Sequence, residues 1–457
     1  MPTSFLSSSF RDPSGFVFEH EGEIYRQVNQ RYREHFDLLH DSGLYDELVQ
    51  RNLLIPHETA DLSLARTPEA YKIIKPARVP FISYPYEWSF SQFRDAALTT
   101  LRVQQAAFEK GMVLKDASAY NIQFYEGRPV FIDTLSFEAY REGAPWIAYR
   151  QYCEHFLGPL ALMAYRDVRL SPLLRSNIGG IPVDLASNLL PASTRLKGAL
   201  LMHVHLHAKS QARHQDNPRA AKTAKVSRIG LQGIIESLES ATKALTLKRN
   251  SGVWADYYSD TNYSETAAAH KTELVGRFIE QVKPPSVWDL GGNVGRFSRL
   301  ASGRGIFTLS LDLDPAAVEL NYQACRKEGI AAMLPLVMDL TNPSPDLGWA
   351  HQERASLQSR GPAGLLLALA LIHHLAISNN TPLDRIAAYF AALGRYLLIE
   401  FVPKTDSQVE RLLASREDIF EHYTHEGFEK AFGHFFNTLD RQHIRDSKRT
   451  LYLLQAK

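Results

Sequence analysis

Five short apolar stretches mark the second half of the chain, at residues 287–290, 306–312, 333–339, 365–372 and 396–402. Runs of that length bounded by turn residues read as buried strands. The segments between them are long enough for crossover helices, so the spacing predicts a parallel sheet in an α/β domain over residues 251–457. Near its end a polar stretch, 440–449, lies between the aromatic cluster Phe432, Phe435, Phe436 and the apolar run 450–454. Upstream, residues 16–28 read as a hairpin turning at Glu21 and Gly22. Residues 209–250 are poor in aromatics and carry Arg213, Arg219, Lys222, Lys225 and Arg228, the composition of a solvated linker. Within it, 234–245 has helical apolar spacing and is expected to pack on the downstream domain. The predicted division is therefore 1–208, a linker and helix at 209–250, and 251–457.

The first strand carries the chemistry. Residues 287–299 read Val-Trp-Asp-Leu-Gly-Gly-Asn-Val-Gly-Arg-Phe-Ser-Arg, a strand running into a glycine turn and then a helix. Gly291 and Gly295 permit a tight turn and close approach to a ligand, and the following helix is expected to present N–H groups to it. A dinucleotide site would ask for Gly-x-Gly-x-x-Gly, which is not the spacing here. The segment resembles instead the first motif of class I S-adenosylmethionine (SAM)-dependent methyltransferases. That resemblance implies a Rossmann-like seven-stranded sheet, closed by an antiparallel hairpin across the aromatic cluster, the polar stretch 440–449 and the run 450–454, with SAM as cofactor. It places Asp289, Gly291, Asn293 and Gly295 around the cofactor, Asp312 on the ribose, and Asp339 facing the adenine amine. Asn293 stands where many members carry glycine, and Gly364 where many carry Asp. His373 and His374 close the fourth stretch, on the side where ligands bind in open α/β sheets, and are candidate proton acceptors. Glu400, at the end of the fifth, is a second candidate base or orienting residue.

A separate constellation lies in the first half. Asp116 and Asn121 stand five apart in residues 114–124, and Asp133 ends the next apolar run. This spacing resembles the catalytic lobe of protein-kinase-like and aminoglycoside-phosphotransferase-like enzymes. The resemblance implies an α+β domain using Mg-ATP, with a strand and hinge at 79–88, a helix at 96–111 before the loop, Asp116 as catalytic base and Asn121 and Asp133 as metal ligands. Two features depart from it: no glycine-rich loop accompanies Phe16, and Arg26 stands where a phosphate-pairing Lys belongs. An active phosphotransferase, a nucleotide-binding or structural kinase-like domain, and an unrelated fold all remain open. His203, His205 and His207 are expected on a helix surface or at a domain contact rather than around a metal, because helical positions two apart diverge.

Composition narrows the rest. A chain of 457 residues is too long for one core, and 51 Lys and Arg against 50 Asp and Glu leave no global pull toward nucleic acid. No apolar run reaches bilayer length, the N-terminal residues lack the pattern of a signal peptide, and Cys153 and Cys325 form no framework. These point to a cytoplasmic protein. Nearly the whole chain resembles bacterial proteins close to the rhizobial host-specificity nodulation proteins of methyltransferase type. The implied activity is methyl transfer from SAM to a small-molecule or glycan-linked acceptor. Two alternatives stand beside it: a bifunctional enzyme that phosphorylates and then methylates a saccharide, and a non-catalytic nucleotide-binding scaffold.

Overall fold

The computed structural model describes residues 4–214, 225–247 and 264–457, and the chain divides into two compact units. Unit one comprises Met1–Lys248 with Asp346–Arg354; unit two comprises Arg249–Pro345 and Ala355–Lys457. Of the linker expected at 209–250, residues 215–224 and 248–250, with Arg219 and Lys222, lie outside the described residues.

In unit one, β1 (Ser4–Phe5), β2 (Gly15–His20), β3 (Glu23–Asn29), β4 (His57–Ala60) and β5 (Ala70–Pro76) form an antiparallel sheet in the order β1-β2-β3-β5-β4. The β2–β3 hairpin turns at Glu21 and Gly22, both at positive φ (53° and 81°), as the sequence predicted. Val28 of β3 and Ile74 of β5 pack with Tyr32, Phe36 and Leu135 in one core cluster. The strand expected at 79–88 does not form; only the 3-10 turn Pro85–Glu87 is regular there. Pro80 and Pro85 each remove a ladder donor, and the sheet takes the preceding segment as β5 instead. The long helix begins at Phe90 rather than 96, because Ser89 and Gln92 form a reciprocal capping box. Two short ribbons follow. β6 (Met112–Leu114) pairs with β9 (Phe137–Ala139), and β7 (Ile122–Tyr125) with β8 (Arg128–Phe131).

The helix Arg228–Ala244 belongs to unit one, against the expectation that it packs downstream. Its buried stripe, Leu231, Ile235 and Leu238, faces the helix Phe90–Glu109, where the Gln232 and Gln105 amides exchange hydrogen bonds of 3.3 and 3.1 Å. Thr242 adds a 2.9 Å bond to the buried Tyr152 hydroxyl. An apolar stripe announces that a helix packs, but not on what.

Unit two is built on a seven-stranded mixed sheet. Its strands are β10 (Ser286–Leu290), β11 (Phe307–Asp312), β12 (Met333–Val337), β13 (Ala363–Ala368), β14 (Gly394–Phe401), β15 (Phe436–His443) and β16 (Thr450–Ala456). The order is β12-β11-β10-β13-β14-β16-β15, with β16 antiparallel to both its neighbours and the other pairs parallel. The seven strands and the closing hairpin match the expectation. The helices Glu265–Val282, Pro315–Glu328 and Leu383–Leu393 lie between strands or before them, and Leu274, Val275 and Phe278 of the first pack against Leu365, Leu367 and Leu453 of the sheet. Among the described residues no helix is long and apolar enough to cross a membrane.

Candidate functional site

At the carboxyl ends of β10 and β11 the chain folds a glycine turn against a carboxylate. Gly291 and Gly295 take φ of 76° and 80°, and Asn293 joins them at 49°, where its short side chain is tolerated and accepts the Val294 N–H at 2.8 Å. This accounts for asparagine at a glycine position. Gly292 is closely packed: a Cβ there would come within 2.5 Å of the Ser310 hydroxyl and 3.2 Å of the Asp289 carboxylate. Asp289 is buried and accepts the Ser298 hydroxyl at 2.6 Å; burial lifts its carboxyl to about 6, although the Ser298 bond opposes this. Asp312, at the end of β11, accepts the Asn293 N–H at 2.8 Å on one oxygen and the Asp314 N–H at 2.8 Å on the other. Its pKa is raised, by burial first, against those two bonds.

The amides of the turn face inward. Gly291 and Gly292 both donate to the Leu311 carbonyl, Asn293 to Asp312, Val294 to the Asn293 side chain, and Gly295 to the Gly292 carbonyl. The helix that follows is only Ser298–Ser302, and Arg299 and Leu300 donate back to Gly295 and Phe297. The amides of residues 291–295, which the sequence led us to expect near a ligand, are therefore engaged within the protein. A pyrophosphate needs such donors; an adenosine carrying a sulfonium does not. The residues present fit SAM: each Asp312 oxygen accepts one backbone N–H and keeps a second lone pair.

The histidines lie beyond a strand that stops earlier than predicted. β13 ends at Ala368, Ala370 turns at φ 52°, and His373 precedes the helical turn His374–Ser378. His373 is buried and His374 is exposed, with ring centroids 4.2 Å apart. Burial pushes His373 down to about 3, and the charges of His374 and Arg449 act in the same direction. Its Nδ1 is buried and has no hydrogen-bond partner among the described residues. Glu400 is fully buried and engaged: Lys271 Nζ lies 2.6 Å from one oxygen and Arg449 3.5 Å from the other. Arg449 also grips Asp406 through two bonds of 2.7 and 3.0 Å. A carboxylate answered by two cations orients its surroundings more readily than it takes a proton. Asp339, partly exposed, accepts the Thr341 N–H and hydroxyl.

Lys271, Arg449 and Asp406 were missed in the sequence. One signal existed for Lys271, which shares the buried stripe of its helix with Ala267, Leu274, Val275 and Phe278. A lysine on a core stripe needs a buried partner.

In unit one, Asp116 and Asn121 flank the turn between β6 and β7, and Asp133 follows β8. The ribbons bring them together through Ser136, whose hydroxyl donates to Asp133 and receives the Asn121 amide at 3.3 Å. Arg26 of β3 pairs with Asp133. Burial pushes the Asp116 carboxyl up, with the Asp133 charge adding to it; for Asp133, burial is outweighed by Arg26 and Ser136, and its pKa is lowered. The histidines 203, 205 and 207 do lie on helical turns, but they are not surface groups: His203 and His205 are buried. His203 bonds Tyr149 and Ser237 at 2.8 and 2.9 Å, and His205 bonds Ser187 and Thr194 at 2.8 and 2.9 Å.

No known family profile matches the chain. Among solved structures, WbdD shares 13% identity at a TM-score of 0.29, over 42% of this chain and 40% of that one. Magnesium protoporphyrin IX methyltransferase (ChlM) from Synechocystis PCC 6803 with bound SAH shares 17% at 0.31, over 44% of this chain and 91% of that one. Likeness at that level says nothing of activity. Along the full length the likeness is of another order: nodulation protein NoeA of Rhizobium meliloti (strain 1021) is 34% identical over 458 residues, covering 98% of this chain and 96% of that protein. The chain belongs to the family of nodulation protein NoeA.

Proposed function

We propose that the protein is a SAM-dependent methyltransferase whose cofactor sits on unit two, between the glycine turn and Asp312. The observation that carries this reading is the pairing of an inward-bonded turn with a carboxylate held only by backbone amides. Such a site suits an adenosine that brings hydroxyls and no phosphate. Bound there, SAM supplies an electrophilic methyl group. Asp312 holds the ribose, Asp339 faces the adenine amine, and Asp289, Gly291, Asn293 and Gly295 shape the wall. His373, neutral at physiological pH and with Nδ1 unmatched, accepts a proton from the hydroxyl or amine that is methylated. Exposed His374 is the alternative acceptor at the same edge, while Glu400 positions Arg449 and Lys271. The acceptor we propose is a small molecule or a glycan-linked group, methylated in the cytoplasm. Calorimetric titration of SAM and of NAD⁺ into the full chain tests the cofactor. SAM alone should bind; NAD⁺ binding in its place would overturn the reading.

A second reading concerns unit one, which we propose to be a kinase-like lobe serving as a binding or structural domain. It is supported by the two ribbons that draw Asp116, Asn121 and Asp133 together. Phosphoryl transfer from Mg-ATP fits the residues less well. Both oxygens of Asp133 already have partners.

A further inference from the structure

We propose that Arg26 closes a divalent-cation site at Asp133, so that unit one takes up no such ion while the arginine is in place. The donors are oxygens of the right kind, yet both oxygens of Asp133 and one of Asp116 already face a partner. One oxygen of Asp133 receives the Arg26 guanidinium together with the Leu135 N–H at 3.1 Å; the other receives the Ser136 hydroxyl. Asp116 accepts the Ser118 N–H at 2.8 Å. Asn121 turns its NH₂ end, not its carbonyl, toward Ser136. Among the described residues no cluster of three or more His, Cys, Asp and Glu could hold a metal.

Arg26 is not a loose side chain that swings across by chance. Its backbone is fixed in the centre of the five-stranded sheet, opposite Val17 on β2 and Ile74 on β5. Both members of the pair are largely buried, with 17% and 16% of their side chains exposed. A guanidinium keeps its charge at every accessible pH, so titration does not open the site. A divalent ion arriving at Asp133 would meet a fixed positive charge and lose half of its anionic ligand to it. Removing the guanidinium, by contrast, frees the Asp133 oxygen it held, and rotation of the Asn121 amide would add its carbonyl to the Asp133 and Asp116 carboxylates, hard oxygen donors suited to Mg²⁺ or Mn²⁺. The inference needs neither a nucleotide nor the kinase-like reading, and its failure would leave that reading and the methyltransferase proposal intact.

The test is uptake of Mn²⁺ by the full chain, followed through the electron paramagnetic resonance signal of the free ion. The native protein and Asp133→Asn should give the same titration. Arg26→Met should gain a site at least tenfold tighter than any in the native protein, and the double variant Arg26→Met with Asp133→Asn should lose it. Circular dichroism establishes that each variant is folded. Mn²⁺ uptake by the native protein that Asp133→Asn removes would overturn the proposal, as would a folded Arg26→Met that gains nothing. Should Arg26→Met fail to fold, the native and Asp133→Asn titrations decide alone: agreement supports the closed site and a difference overturns it.

Discussion

Asp312, which ends β11 in unit two, and Asp133, which follows β8 in unit one, are partly buried carboxylates, and both are held by the N–H of a residue two positions on. What completes each one differs. Asp312 has a second backbone amide, whereas Asp133 has a guanidinium and a hydroxyl. Their pKa values accordingly move in opposite directions, up for Asp312 and down for Asp133. A neutral dipole holds a carboxylate in place and leaves it able to receive a ligand; a full opposite charge satisfies it. The same residue type at the same kind of position is thus a receptor in one unit and a closure in the other.

The sharpest challenge to this contrast is the closed carboxylate of unit two. Glu400→Ala should strip Lys271 of its 2.6 Å partner in a fully buried setting and cost about 3 to 5 kcal/mol of stability by denaturant unfolding. A loss under 1 kcal/mol would mean that the pair is not the anchor its burial implies. Next comes the receptive carboxylate. Asp312→Ala should weaken SAM binding by about 2 to 4 kcal/mol with the fold intact, since two charge-assisted bonds to the ribose disappear. Unchanged affinity would place the ribose elsewhere.

Two buried titrating groups refine the contrast through pH. Asp289, lifted to about 6, binds protons more tightly folded than unfolded, so its contribution falls as pH rises from about 4 to 6, by at most about 3 kcal/mol. His373, pushed down to about 3, works the other way and loses stability as pH falls below about 6.5. Asp289→Asn should therefore steepen the acid destabilisation, and His373→Gln should flatten it; identical profiles for the two variants would contradict both assignments. The smallest effect is expected for an exposed pair. Lys404, 2.7 Å from Asp418, should tolerate replacement by Ala within about 1 kcal/mol in thermal unfolding, because water screens what burial does not.

The alternation of apolar runs with crossover-length gaps located every strand of the parallel sheet to within a few residues, since buried strands must be apolar along their length. The hairpin at Glu21 and Gly22 was equally legible, because left-handed residues leave a mark in the sequence. Unit one was harder. The stretch 79–88 is aromatic enough for a strand, and only its two prolines argue otherwise. The partner of the helix Arg228–Ala244 could not be read, because a stripe of leucines and isoleucines carries no address. At the candidate sites, glycines and carboxylates announced themselves by spacing. Their answering cations did not: Arg26 was noticed only as a departure at a lysine position, and Lys271 and Arg449 went unread, because no local pattern ties a charge to a partner 43 to 129 residues away.

The place of β16 has a consequence for how the chain can be made. Because β16 lies between β14 and β15, both earlier strands emerge from the ribosome before the strand that joins them. Until residues 450–456 are synthesised, β14 presents an open edge and the alternating strand β15 has nothing to pair with, the kind of surface that recruits other nascent chains. Unit two therefore closes its sheet late, and chaperone dependence should fall on this half of the protein. A premature stop just before Thr450 should yield an aggregating product rather than a slightly shortened domain.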